Sequence, residues 1–130
     1  MTPEQKDILK QHIANLTLFF IKGGYDVRPL PVVMFSYANS ADDILAPTGH
    51  YNSLNNTITL YCNGRHMKDV LNTFSHELVH RWQDVQGRLD PSLLGQSDSY
   101  TKGSDYLKEI EAEAYVLGNT MRRVYTENLQ

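Results

Sequence analysis

The sequence predicts an α+β fold of three helices and a small, mostly antiparallel sheet. Three observations carry this. Apolar residues recur at steps of three and four in three separate blocks, between Ile8 and Phe20, Leu71 and Val85, and Leu107 and Val124. Two short runs rich in β-branched and aromatic residues, Pro31 to Tyr37 and Thr57 to Tyr61, lie between the first and second blocks. Turn-forming pairs such as Gly23-Gly24 and Asn55-Asn56 separate these stretches. The 130 residues suit one domain, 1–130, with one core.

The first helix starts at Thr2-Pro3-Glu4-Gln5. Thr2 is a good N-cap, Pro3 fits the first helical position and Gln5 completes a capping box. Ile8, Leu9, Ile13, Leu16, Phe19 and Phe20 form its apolar face, and Gly23-Gly24 stops it. His12 falls beside charged residues and reads as a solvated surface histidine. Pro31 to Tyr37 reads as a buried strand. Ala38 to Thr48 reads as a loop, with Asp42-Asp43 as solvated carboxylates. Gly49 to Asn52 and Thr57 to Tyr61 flank Asn55-Asn56, and asparagine tolerates the left-handed backbone of a tight hairpin turn. Thr57 to Tyr61 alternates polar and apolar, as a half-buried strand does, and is the expected edge for an extended peptide.

The second helix begins near Lys68. Its stripe is Leu71, Phe74, Leu78, Trp82 and Val85, and Gly87 ends it. Arg88 to Ser104 is loop-like and long enough to act as a lid or substrate loop. Ser104 is the expected cap of the last helix, whose face is Leu107, Ile110, Ala114, Leu117, Met121 and Val124.

Composition narrows the function. Apolar residues make up 41% and charged residues 21%, ordinary values for a soluble globular chain. A net charge of −3 offers no electrostatic footprint for nucleic acid or an anionic membrane. The lone cysteine, Cys62, cannot form an intramolecular disulfide and reads as a space-filler in a strand. The N-terminal residues lack a basic region followed by an apolar one, and no apolar run is long enough to span a bilayer. A cytoplasmic location is expected. Oligomeric state is left open.

The chemistry lies in the second helix. His76-Glu77-Leu78-Val79-His80 is an HExxH sequence. Residues i and i+4 stack on one helix face, so both imidazoles can reach one metal ion. Glu77 lies about 100° round the helix from His76. It misses the metal but can reach a water held there, whose pKa the metal lowers towards about 7. On a helical wheel His76 and His80 fall nearly opposite the apolar stripe, beside Thr73 and Gln83.

A catalytic zinc usually takes three protein ligands. No histidine follows His80, and Gln83 and Gln86 stand where HExxHxxGxxH would place its glycine and last histidine. A carboxylate on a later helix remains. With Leu107 at zero, Glu111 falls at about 40°, near Ala114 and Gly118, whereas Glu109 and Glu113 fall at about 200° and 240°. A carboxylate turned inward is costly unless paired or bound to metal. Small neighbours at Ala114 and Gly118 would let two helices approach. Glu111 is the preferred ligand, with Glu113 the alternative and Asp98 or Asp105 a variant.

His76-Glu77-Leu78-Val79-His80 followed by Glu111-Ala112-Glu113-Ala114 resembles the gluzincins, zinc peptidases whose third ligand is a glutamate on a later helix. With the hairpin before the motif, residues 31 to 125 are similar to compact ImmA/IrrE-type metallopeptidase domains. The resemblance implies a minimal zincin-like fold, Zn²⁺ on His76, His80 and Glu111, and Glu77 as general base. It departs from many gluzincins at Tyr115, where those carry an aspartate that hydrogen-bonds a metal-bound histidine. It also lacks the helix-turn-helix region often seen with that family. The implied activity is peptide-bond hydrolysis of a peptide or protein substrate, by an endopeptidase rather than an exopeptidase. Tyr115, Tyr106, Tyr100, His50 and His66 are the candidates for oxyanion support. The alternatives are a regulatory, non-catalytic binding module on a metallopeptidase scaffold and a helical interaction module that carries the motif by accident.

Overall fold

The computed structural model describes residues 1–37, 48–89 and 105–129. Three helices and a three-stranded mixed sheet follow in the order α1 (Pro3–Lys22), β1 (Val32–Ser36), β2 (Gly49–Asn52), β3 (Thr57–Tyr61), α2 (Met67–Val85) and α3 (Asp105–Asn128). The expected cap Ser104, Asp42-Asp43, and Asp98 and Tyr100 of the long loop lie outside the described residues.

Local chemistry sets the ends of α1. The Thr2 side chain accepts from the Gln5 N–H at 3.1 Å, and the Gln5 side chain accepts from the Thr2 N–H at 2.9 Å. This reciprocal box satisfies donors that a helix start leaves unpaired. Leu9, Ile13, Leu16 and Phe20 are buried along one face. His12 is not a free surface histidine: its Nδ1 lies 2.8 Å from the Tyr125 hydroxyl, because α1 packs against the C-terminal part of α3.

The sheet order is β1-β3-β2. β2 and β3 form the expected hairpin, with Asn56 in the left-handed region at φ 50°. The expectation of a mostly antiparallel sheet is corrected, because β1 runs parallel to β3. The chain between β1 and β3 is long enough for the hairpin to return and insert β3 in the centre. Burial favours that order. Ile58 and Leu60 of β3 are fully buried, each worth roughly 1.5–3 kcal/mol relative to exposure. β1 is likewise not the buried strand its composition implies. It is an edge strand with Val33 and Phe35 against the core and Val32 and Met34 more than half exposed. Helices cover one face of the sheet, and residues alternate between faces. The strand edge beside the HExxH helix is therefore β2, not β3.

The core joins α1, the inner face of the sheet, and Val70, Leu71, Phe74 and Leu78 of α2 to Ile110, Ala114 and Met121 of α3. A buried polar cluster ties β2 and α2 to the segment before β1. Arg81 donates to the carbonyls of Val27 at 3.2 Å and Pro29 at 2.9 Å and to the Tyr51 hydroxyl at 3.2 Å. Tyr51 donates to Asp84 at 2.6 Å. Burial first, then the carboxylate beside it, pushes the Tyr51 phenol up to about 12. An unfolded tyrosine ionises near ~10, so the contribution of this phenol to stability is complete below that pH. It is lost as pH rises from about 10 towards about 12. The phenolate absorbance of Tyr51, taken as the difference between wild type and Tyr51→Phe, is expected to titrate late. A Tyr51 transition at the ordinary value in the folded protein would contradict this cluster. Among the described residues, no helix is long and apolar enough to cross a membrane.

Candidate metal centre

α2 is buried on two sides, which its amphipathic stripe alone does not convey. Phe74 and Leu78 face the core, while the opposite face, with Ser75, His80 and Gln83, is buried too. That second face meets α3. The approach depends on Gly118, where a Cβ would lie 2.9 Å from the His76 Cα and 3.0 Å from its nitrogen. The Ser75 hydroxyl donates to the Gly118 carbonyl at 2.7 Å across the same contact. Ala114 is fully buried one turn earlier. One more turn back along α3 stands Glu111.

This crossing brings together the residues expected from HExxH and the last helix. The Glu111 carboxylate lies between the two imidazoles, with Oε1 2.8 Å from His80 Nε2 and Oε2 3.2 Å from His76 Nε2. The rings stand 4.9 Å apart at 85°. All three potential ligand atoms lie within 4.8 Å of one another. Ligand distances of ~2.0–2.1 Å round a tetrahedral zinc would put neighbouring ligand atoms about 3.3 Å apart. The donor set could hold a metal ion, with its ligand atoms drawn in to that spacing. Glu113, the alternative ligand, is committed elsewhere: its Oε1 accepts from Arg88 at 2.6 Å and from Gln83 at 2.9 Å. Glu109 and Asp105 are exposed and stand outside the group.

The four side chains of this group also perturb one another electrostatically. Burial works to raise the Glu111 pKa, but hydrogen bonds from His76 and His80 outweigh it and hold the carboxyl well below the usual range. Burial works to lower His80, but Glu111 and Glu77 outweigh it and raise the imidazole above its ordinary value. Glu77 is 7% exposed. Burial raises its pKa against the opposing pull of the two histidines. Two carboxylates and two imidazoles thus share one partly enclosed space.

The group opens onto a cleft of about 690 Å³. Gly49, His50 and Tyr51 of β2 line one side, and Tyr115 and Asn119 of α3 line the other. Of the oxyanion candidates, His50 and Tyr115 stand on this cleft. Tyr106 instead donates its hydroxyl to the Arg88 carbonyl. His66 is the N-cap residue of α2. The partner of the His80 Nδ1 is not Tyr115 but Gln83, whose Oε1 lies 2.8 Å away. Gln83 was legible only as a neighbour of the histidines on the wheel. Its i+3 spacing from His80 was the available signal, since residues three apart share a face.

Comparison with known protein families, curated proteins and solved structures finds no match to this chain.

Proposed function

We propose that this chain is a zinc-dependent endopeptidase of gluzincin type on a minimal zincin-like fold. The single observation that carries the reading is the Glu111 carboxylate set between His76 Nε2 and His80 Nε2, with Glu77 lining the same open cleft. Two neutral imidazoles and one carboxylate leave a divalent ion with net positive charge, which suits a Lewis acid better than a closed structural site would. When bound, zinc polarises the scissile carbonyl and acidifies the attacking water. Glu77 takes the proton from that water and delivers it to the leaving amine nitrogen. The outer edge of β2, which pairs with no other strand among the described residues, supports an extended peptide running along the cleft, with backbone groups pairing to Gly49 through Asn52.

Zinc content and cleavage of an unfolded protein substrate test the reading together. Wild-type protein is expected to bind zinc at one per chain. Activity should be lost to a chelator and return with added zinc. His80→Ala and Glu111→Ala each remove one of three ligands, and each is expected to lower zinc affinity by more than the ~10–100-fold that losing a partner of a ligand costs. Stoichiometric zinc without cleavage would instead identify a binding module. Absence of bound zinc would favour an interaction module that carries the motif by accident.

A further inference from the structure

Gln83 has the geometry of a residue that acts on the metal centre through His80. Its side chain is fully buried. Its Nε2 donates to the Ile110 carbonyl at 3.0 Å and to Glu113 Oε1 at 2.9 Å. Both are pure acceptors, so turning the carboxamide over would set oxygen against oxygen at two contacts. Arg88 holds Glu113 in place at 2.6 Å. The Gln83 Oε1 is thereby fixed toward His80 Nδ1, 2.8 Å away. A carbonyl oxygen has no hydrogen to give, so the shared hydrogen must sit on Nδ1. The ring's other nitrogen, Nε2, is the one 2.8 Å from Glu111.

We propose that Gln83 is a positioning residue of the metal centre. Its carboxamide, locked by Glu113 and Ile110, holds the His80 ring with Nδ1 protonated and Nε2 directed at the metal. Glu113, one of three glutamates close together on α3, then serves the site without touching the ion. It keeps Gln83 in the orientation that His80 needs. This rests on the proposed metal site, and it accounts for how a chain with tyrosine at position 115 still orients a ligand histidine. The α2 helix supplies that partner itself, one turn past His80. A ligand imidazole whose second nitrogen is hydrogen-bonded is a better and more rigid donor.

Two readouts test the proposal. The first needs no metal. In metal-free wild-type protein, nitrogen-resolved NMR is expected to find a hydrogen-bonded, slowly exchanging proton on His80 Nδ1. That proton should exchange quickly in Gln83→Leu. A bare Nδ1 with the proton on Nε2 alone in the wild type would overturn the assignment. The second is zinc affinity measured by chelator competition. Gln83→Leu is expected to bind zinc about 10–100-fold more weakly than wild type. Glu113→Ala leaves the Gln83 side chain in place and removes one of the two acceptors that fix it. Weaker zinc binding and faster exchange of the His80 Nδ1 proton are expected there, and a role of Gln83 in packing alone would produce neither. Unchanged affinity in Gln83→Leu, or an unchanged ring proton in Glu113→Ala, overturns the proposal while leaving the metal site standing. If the wild type takes up no zinc, the metal reading fails, and the ring-proton result still decides whether Gln83 orients His80.

Discussion

Glu77→Gln is expected to keep zinc at wild-type stoichiometry and to lose peptide cleavage by about 10²–10⁴-fold, the usual worth of a positioned proton transfer. Glutamine has nearly the shape of glutamate but cannot accept the proton of the attacking water. Glu77 is outside the ligand group, so metal uptake should not change. The folded protein should not suffer either. Burial raises the Glu77 pKa, with the Glu111 carboxylate adding to it, so the ionised form is disfavoured by folding. The sign follows: a carboxyl raised in the folded state costs stability as pH climbs above its unfolded value, and glutamine removes that cost. Metal-free Glu77→Gln is therefore expected to unfold at the same or a higher temperature than metal-free wild type at neutral pH. Cleavage near the wild-type rate in a zinc-loaded Glu77→Gln preparation would remove Glu77 from the mechanism. Loss of zinc with loss of activity would mean that the side chain holds the ion and is not the base.

The parts of this site that depend on one helix at a time were legible in the sequence. Helical period alone puts His76 and His80 together, sets Glu77 aside from them, and separates Glu111 from Glu113 on α3. Ala114 and Gly118 on the same face as Glu111 signalled a close crossing, and Gly118 does lie against the His76 backbone. The capping box at Thr2 and the turn at Asn56 were readable for the same reason, since each is decided within a few residues. What depended on distant partners was not legible. The central place of β3 and the parallel pairing of β1 follow from which strand buries its side chains best, and that depends on helices far along the chain. The histidine face of α2 read as polar and turned out to be buried, because α3 covers it. Gln83 read only as a neighbour of the histidines, and Glu113 as the alternative ligand, until that covering paired them with His80 and Arg88.

Gly118→Ala is expected to damage the metal centre from a position that touches no ligand atom. The added Cβ would meet the His76 Cα at 2.9 Å, the His76 nitrogen at 3.0 Å and the Ser75 carbonyl carbon at 3.2 Å. These are backbone atoms of α2, so no side chain can rotate away. The two helices must move apart, and the Ser75 bond to the Gly118 carbonyl lengthens with them. Overpacking of this kind costs about 1–3 kcal/mol, and the better helix propensity of alanine returns at most ~1 kcal/mol. The larger effect should fall on zinc. Glu111 stands two turns before Gly118 on α3, while both histidines belong to α2, so separation of the helices pulls one ligand from the other two. Zinc stabilises the fold in proportion to RT ln(1 + [Zn]/Kd), so a weaker site gives a smaller rise in unfolding temperature at fixed zinc. Thr120→Ala, on the exposed face of the same helix, makes a matched control in which no backbone is approached. Gly118→Ala should lower the unfolding temperature and lose most of the zinc-induced rise, whereas Thr120→Ala should change neither by much. If Gly118→Ala kept the full zinc-induced rise, the third ligand would not depend on the close crossing of α2 and α3, and Glu111 would lose its strongest structural support as that ligand.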